Sequence, residues 1–228
     1  MEIRLYSLLS GARKAEGTAI VIDVYRAFTT AAVAFDRGAA QILLTAEVDE
    51  AMALKERGLG ELCMGEVDGC RPAGFDFGNS PYELSQAKLA DRRLIQSTRA
   101  GTVGAAAASR ADTLYVASLV NARATAAAVR RQQPALVTVV AMGREGRNRT
   151  DEDEQCALYI RNLLEGRRPD PQAVRALVLA GGESLKFADD RRPQFHPRDR
   201  DIALEVDSID IPIRVERKDD LLLAQPAA

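Results

Sequence analysis

Four polar residues follow a strongly apolar run near the start of the chain. The run is AIVI at residues 19–22, and it leads into Asp23, Arg26, Thr29 and Thr30. A carboxylate at the end of such a run is costly to bury unless it binds a cation or several donors. A guanidinium suits a phosphate or a sulfonate. The spacing predicts a site for a cation and an anion, although Asp23 could simply cap the next turn and Arg26 could pair with it.

Other polar segments follow other predicted strands. In a parallel sheet the carboxyl ends of the strands lie at one edge, so we expect five such loops to share one rim. A Ser or Thr before a helix is, taken singly, more often a cap than a ligand. Together with Thr29 and Thr30, the candidate substrate-binding residues on these loops are Asn79, Ser80, Ser97, Thr98, Thr102, Ser118 and Asn121.

The string GFDFGNSP at residues 74–81 is the most specific local pattern. Its two glycines allow a positive φ and a close approach of the backbone. Asn79 or Ser80 can cap a helix that the following proline would start, and Asp76 lies between two aromatic residues. A plain structural loop is the alternative interpretation.

The elements that must position these residues follow from the hydrophobic pattern. Short apolar runs alternate with alanine-rich or amphipathic stretches, which is typical of a mostly parallel sheet covered on both faces. We predict an α/β fold, a three-layer α/β/α sandwich with a mostly parallel or mixed sheet, in a single domain over residues 1–228. Alternating apolar and polar residues from 203 to 225 favour an antiparallel hairpin, so residues 183–228 are expected to form an edge hairpin or a small lobe.

The composition disfavours several classes of protein. Its 31 basic and 33 acidic residues give a net charge of −2, which argues against nucleic acid as a partner. No apolar stretch reaches the roughly 18 to 20 residues of a bilayer span, and the first residues lack a signal-peptide core, so we expect no membrane partner and a cytoplasmic location. One histidine and three cysteines without paired-thiol spacing do not support a zinc site. Metal and acid–base chemistry is therefore expected from carboxylates, which suit magnesium or manganese.

Several of these strings together resemble a known family. IDVYRAFTT, the Gly65-Glu66 pair, GFDFGNSP, QSTRAGT, ASLVNA and the Glu152-Asp153 pair are similar in order and spacing to the 2-phosphosulfolactate phosphatase family, the ComB-like proteins, over roughly residues 19 to 160. The resemblance implies a magnesium-dependent phosphatase on a three-layer α/β/α fold. It implies release of phosphate from a small sulfonated hydroxy acid in coenzyme M biosynthesis.

The resemblance also suggests roles for individual residues. Asp23, Arg26 and Asp76 are the candidate catalytic residues, and the candidate ligands of Mg²⁺ are Asp23, Glu66, Glu152 and Asp153. Whether water or a carboxylate attacks phosphorus is open; we favour water. The substrate is expected to be a small anionic phosphorylated compound, and a homodimer is one expectation for enzymes of this kind.

One stretch departs from the family pattern. Where the family shows T-T-N-G-T, this chain reads STRAGT at residues 97–102, without the asparagine and one residue longer. The substrate could therefore differ. The alternatives are another hydrolase or transferase on the same scaffold, or a non-catalytic module that binds an anionic metabolite.

Overall fold

Nine strands form one mixed sheet in the computed structural model, which describes residues 1–227. They are β1 (Glu2–Ser7), β2 (Gly17–Ile22), β3 (Gln41–Thr45), β4 (Leu62–Gly65), β5 (Arg93–Ser97), β6 (Ala111–Ala117), β7 (Leu136–Ala141), β8 (Ile213–Lys218) and β9 (Leu221–Pro226). Their order across the sheet is β1-β7-β2-β6-β8-β9-β3-β5-β4. The first seven strands in the chain all arise from the apolar runs noted in the sequence.

Nine α-helices accompany the sheet within the described residues. They are α1 (Leu8–Ala12), α2 (Ala27–Asp36), α3 (Val48–Glu56), α4 (Pro81–Ser85), α5 (Gly101–Ala107), α6 (Ala122–Gln132), α7 (Asp151–Leu164), α8 (Pro171–Ala180) and α9 (Pro197–Ala203). Two 3₁₀ segments, Leu119–Asn121 and Gly182–Ala188, complete the set. No helix in this part of the chain is long and apolar enough to cross a bilayer.

Helices cover both faces of the sheet, as predicted. Along β2, Ala19 and Val21 pack into one buried apolar cluster with α2, while Ile20 and Ile22 belong to a second cluster with α6 and α7. Because successive side chains of a strand point to opposite faces, the two clusters lie on opposite sides of the sheet. The prediction of an α/β sandwich is confirmed.

Local sequence signals set several helix ends. Asp49 and Glu50 lie in the first turn of α3, and Gly58, with φ of +72°, follows its last residues. Ser80 accepts a hydrogen bond from the Glu83 amide at 3.1 Å and caps α4, whose first residue is Pro81.

The C-terminal hairpin lies inside the sheet, so its predicted position at the sheet edge is wrong. Strands β8 and β9 pair antiparallel with each other. Val215 of β8 lies opposite Leu114 of β6, and Leu223 of β9 lies opposite Leu43 of β3. The hairpin therefore joins two parallel blocks, β1-β7-β2-β6 and β3-β5-β4, each of which would otherwise present an open edge.

The expectation that all strand ends share one rim is also wrong. Three antiparallel pairings in succession, β6-β8, β8-β9 and β9-β3, make the two parallel blocks run in opposite senses. Loops of both blocks nevertheless meet, because the start of α2 packs against the end of β5. The Gln96 side chain donates to the Ala27 carbonyl at 2.8 Å, and Gly101 lies so close that a Cβ there would be 2.7 Å from the Ala27 Cβ.

The interior position of the hairpin predicts that the chain cannot fold without it. A chain ending at residue 212 would lose both strands and expose the inner edges of β6 and β3, so we expect no cooperative thermal transition by circular dichroism. A chain ending at residue 226 keeps both strands and should unfold cooperatively near the full-length midpoint. A cooperative transition of the shorter chain near that midpoint would contradict the assignment.

Candidate active site

One cavity of about 270 Å³ collects most of the charged candidates. It is bordered by the residues that follow β2, β4, β5 and β7, by the start of α7 and by residues 183–195. The predicted site residues that line it are Asp23, Arg26, Glu66, Asn79, Glu152 and Asp153. The structure thus brings together both halves of the proposed cation and anion site.

Three of the carboxylates are almost completely buried. Asp23 is 5% exposed, Glu152 4% and Asp153 2%. Asp153 accepts hydrogen bonds from the amides of Val24 and Gly143, both at 2.7 Å, and so joins the loops that follow β2 and β7. Asp23 accepts from the Ala27 amide at 3.0 Å, at the first turn of α2. Backbone donors therefore fix both aspartates.

Burial is the main influence on the protonation of these acids. Burial raises the pKa of Asp23 to about 6, and the negative charge of Glu66 adds to this rise. The hydrogen bond from the Ala27 amide lowers the pKa but does not cancel the effect of burial. Burial also raises the pKa of Glu152 to about 7. Burial, followed by the charges of Glu152 and Asp23, raises the pKa of Asp153 well above its usual value. The acids therefore repel one another across a shared, poorly solvated space.

Glu66 is oriented in the same way at the other side of the cavity. One carboxylate oxygen accepts from the Gly69 amide at 2.7 Å, and the other accepts from the Arg99 amide at 2.8 Å. Arg99 belongs to the STRAGT stretch, so the segment that departs from the family pattern holds this carboxylate through its backbone.

Arg26 lies in the cavity wall but does not pair with Asp23. Its Nη1 donates to Asp199 at 2.7 Å and to the Gln194 carbonyl at 2.8 Å, and its Nη2 donates to the Gly69 carbonyl at 3.2 Å. The guanidinium carbon lies 4.8 Å from the centre of the Phe195 ring. Three of the five N–H donors of the guanidinium are therefore engaged.

Asn79 offers a polar atom without a partner. The residue is 6% exposed, and its side-chain oxygen accepts no hydrogen bond within residues 1–227. Because buried polar atoms are normally hydrogen-bonded, this amide in the cavity wall is available to a ligand.

Sequence reasoning missed the wall formed by the segment from 183 to 195. Lys186 donates to Glu183 at 3.0 Å and lies over the rings of Tyr25, Phe187 and Phe195 at 5.0 to 5.7 Å. The other residues of this segment that line the cavity are Glu183, Arg192, Gln194 and Phe195. The sequence does show a cluster of basic and aromatic residues at 186–195, but no local pattern predicts that this cluster lies near the end of β2.

The basic residues of the cavity form their salt bridges with acids other than the candidate metal ligands, although the charge of Lys186 still lowers the pKa values of Asp23 and Glu152. Five basic residues line it, and each pairs with an acid other than the four candidate metal ligands. The pairs are Arg26–Asp199, Arg99–Glu47, Arg144–Glu183, Lys186–Glu183 and Arg192–Asp189. Asp23, Glu66, Glu152 and Asp153 thus remain without an ionic partner among the described residues.

Asp76, a candidate catalytic residue, lies outside the cavity. Its carboxylate accepts from Lys55 Nζ at 2.6 Å and from the Cys63 amide at 2.7 Å. The GFDFGNSP loop turns this side chain back onto β4 and α3. In this structure Asp76 therefore links the loop to β4 and α3 and does not line the cavity.

The candidate hydroxyl residues also do not line the cavity, because they bond to the nearby backbone. Thr29 donates to the Val24 carbonyl and Thr30 to the Arg26 carbonyl. Thr102 donates to the Thr98 carbonyl and its oxygen accepts from the Thr98 amide. Buried Ser97 ends β5 without reaching the cavity lining.

Ser80 and Asn121 have structural partners as well, whereas the Ser118 hydroxyl is buried without a hydrogen-bond partner among the described residues and does not line the cavity. Ser80 caps α4 and donates to Asp199 at 2.6 Å. Asn121 accepts from the Ser118 amide at 2.9 Å and donates to the Ile211 carbonyl at 3.1 Å. The loop after β6 is therefore the one predicted loop that contributes nothing to the cavity.

The described residues do not form a complete protein-only metal site. No group of three His, Cys, Asp or Glu side chains within residues 1–227 is arranged to hold an ion. The four acids around the cavity are nevertheless oxygen donors of the type that hard divalent cations select.

Comparison with known proteins places the chain in a family. The family model described as 2-phosphosulpholactate phosphatase matches residues 5–185. The chain belongs to this family. A Bacillus subtilis (strain 168) protein named "Probable 2-phosphosulfolactate phosphatase" is 38% identical over 184 residues, which cover 79% of this chain and 78% of that protein.

Two further relatives bear the same name. The Deinococcus radiodurans protein is 40% identical over 147 residues, or 64% of this chain and 61% of that protein. The Thermus thermophilus protein is 39% identical over 134 residues, or 58% of this chain and 56% of that protein. The chain thus spans less than two thirds of these two relatives. The predicted family is therefore confirmed, and its name denotes a phosphoric monoester hydrolase.

The buried acids predict how stability depends on pH when divalent cations are chelated. Between about pH 5 and 7, Asp23 and Glu152 stay partly protonated in the folded chain but are ionised in the unfolded chain, because their folded pKa values are about 6 and 7. The folded state then binds more protons, so stability falls as pH rises. Chemical denaturation in EDTA should show a loss of at least about 1 kcal/mol across this range. Asp23→Asn should flatten the slope, and a rise in stability would contradict the assignment.

The contacts of Asp76 predict a structural effect without a catalytic one. Asp76→Ala removes the acceptor of the Cys63 amide and the partner of Lys55, so we expect a loss of about 1–3 kcal/mol in the free energy of unfolding. Phosphate release should stay within about twofold of the parent at a temperature where both are folded. A large loss of turnover in a folded variant would show that Asp76 has a catalytic role after all.

Proposed function

We propose that this chain is a Mg²⁺-dependent phosphatase acting on a small anionic phosphomonoester, either 2-phosphosulfolactate or a related phospho-hydroxy acid. The observation that carries the proposal is the separation of charges around one cavity. Three deeply buried acids lack an ionic partner there, while basic side chains line the same space. The family match and the names of the relatives support phosphate ester chemistry.

The donor set fits a magnesium ion. Buried acids without a cationic partner are unfavourable unless a cation neutralises them. Mg²⁺ is commonly held by one or two carboxylates together with substrate phosphate oxygens, so a protein-only site of three acids is not required. We assign the ion to one or two carboxylates drawn from Asp23, Glu66, Glu152 and Asp153. When bound, Mg²⁺ supplies neutralisation of phosphate charge and activation of water.

The chain's own groups then bind and orient the substrate. Arg26 presents its remaining guanidinium donors and Lys186 its ammonium to anionic oxygens. The unpartnered Asn79 side-chain oxygen is an acceptor, which suits a bound water or a cation. Glu152 borders the same cavity, where a carboxylate that does not hold the ion can accept a proton from attacking water. Asp23 as a nucleophile is the alternative to water.

A phosphate-release assay tests the function. The parent chain should release phosphate from 2-phosphosulfolactate with added Mg²⁺ and lose this activity in EDTA. Turnover of other phosphomonoesters but not of 2-phosphosulfolactate would overturn the substrate, and turnover unaffected by EDTA would overturn the metal. Thermal stabilisation by these compounds without turnover would favour a binding module, and cleavage of non-phosphate esters would favour another hydrolase.

The buried acid at the end of β2 gives the sharper test. Asp23→Asn keeps the shape and the acceptor for the Ala27 amide but removes the charge, so kcat/KM should fall by about 100-fold or more. The matched control is Asp76→Asn, an aspartate on the GFDFGNSP loop outside the cavity, which should stay within about twofold. Equal effects of the two substitutions would remove Asp23 from the proposed site.

A further inference from the structure

Asp199 is a fully buried acid that neither the sequence motifs nor the family match includes. It lies on α9, at 0% exposure, and beyond the matched residues 5–185. Its Oδ2 accepts from Arg26 Nη1 at 2.7 Å, while its Oδ1 accepts from the Ser80 hydroxyl at 2.6 Å and from the Tyr82 amide at 3.0 Å. Asp199 therefore connects the loop after β2 with the end of the GFDFGNSP string.

The same C-terminal segment surrounds the guanidinium of Arg26. The Gln194 carbonyl accepts from it, and the Phe195 ring lies 4.8 Å from its carbon. Gly69 completes the enclosure, since its carbonyl accepts from Nη2, and its Cα lies against Phe195 where a Cβ would be 2.6 Å from the ring. A flexible side chain is thereby held in one orientation, which is what a directional anion ligand needs.

The charge of Asp199 has a second consequence. Arg26 is 3% exposed and stands three residues from Asp23, which has no cationic partner of its own. A buried guanidinium without an acid is strongly unfavourable, so Arg26 deprived of Asp199 would be drawn towards the acids of the cavity. Pairing there would cancel the negative charge proposed to hold the cation.

We infer that Asp199 is a positioning residue, which holds the Arg26 guanidinium on the anion-binding side of the cavity and keeps it from neutralising Asp23. This inference rests on the proposed function, since it assigns Arg26 to a phosphate oxygen. It also makes residues 194–199, which lie outside the family match, a required part of the site.

The test is a double-substitution cycle. Asp199→Asn should lower kcat/KM for phosphate release by about tenfold or more in the parent chain. In the Arg26→Gln background the same change should alter kcat/KM by no more than about twofold, because the group on which Asp199 acts is gone. Binding of inorganic phosphate, measured by calorimetry with Mg²⁺, should follow the same pattern without depending on turnover.

The chain provides a matched control for the loss of a buried acid. Asp207 accepts from Arg123 Nη2 at 2.9 Å and from the Tyr159 hydroxyl at 2.6 Å, away from the cavity. Asp207→Asn should lower the thermal midpoint as Asp199→Asn does, but leave kcat/KM and phosphate binding within about twofold.

A milder pair covers the case in which Asp199→Asn does not fold. Ser80→Ala removes one donor to Asp199 and a helix cap, whereas Asp170→Ala removes only the cap of α8. Ser80→Ala should lower kcat/KM about threefold in the parent chain and leave the Arg26→Gln chain unchanged, while Asp170→Ala should affect neither.

The outcomes separate this inference from the proposed function. The positioning role alone is overturned if the parent is active and the folded Asp199→Asn variant keeps its kcat/KM. The same holds if Asp199→Asn lowers kcat/KM by the same factor in the parent and in the Arg26→Gln chain. A parent that neither releases nor binds phosphate overturns the proposed function and the inference together. Both are supported if Asp199→Asn lowers kcat/KM only in the parent chain, which retains Arg26, and if Asp207→Asn leaves kcat/KM unchanged.

Discussion

Acids buried without an ionic partner are the constraint on which the rest of this structure depends. Asp23, Glu152 and Asp153 would each be costly to bury as isolated charges. Two of them are offset by backbone amides: Asp153 ties the loop after β2 to the loop after β7, and Asp23 holds the first turn of α2. Hydrogen bonds of this kind orient an acid without cancelling its charge. The loops are therefore fixed by the same groups that leave the cavity negative.

The sequence predicts the layers of the fold better than the order of its strands. Buried runs such as AIVI, with Ile20 and Ile22 on one face and Val21 on the other, indicate a sheet covered on both sides. The hairpin was misplaced because its alternating pattern reports which face of a strand is covered, not how many strands flank it. β8 alternates buried and exposed residues at its start, yet it pairs on both sides. Strand neighbours are set by contacts between residues far apart in sequence.

The same distinction between local and distant contacts explains the site. Asp23 could be singled out because a carboxylate at the end of an apolar run stands out in the sequence, whereas Glu66, Glu152 and Asp153 were indicated by the resemblance to a family. The hydroxyls of Thr29, Thr30 and Thr102 lie outside the cavity lining, because these short side chains donate to nearby backbone carbonyls. Lys186 could not be placed, since it reaches Tyr25 from 161 positions along the chain and no pattern records that contact.

Under the proposed function one cavity serves both a cation and an anion, which requires that its basic residues form salt bridges with acids other than the metal ligands. If the arginines and the lysine were free, they would collapse onto Asp23 and its neighbours and form ordinary salt bridges. Instead Asp199, Glu183, Asp189 and Glu47 each satisfy a basic residue of the wall. Only Arg26 is held by a buried pair, because the pairs of Arg99, Arg144 and Arg192 are partly exposed, at 3.4 to 3.7 Å, and constrain their side chains weakly. Under the proposed function, such a wall would meet the charges of a phosphomonoester with a second anionic group at more than one point, while the inner acids stay available to a metal ion. Under the proposed function, the residues after 185 supply the partner of Arg26 and the wall around it, which lie outside the region matched by the family.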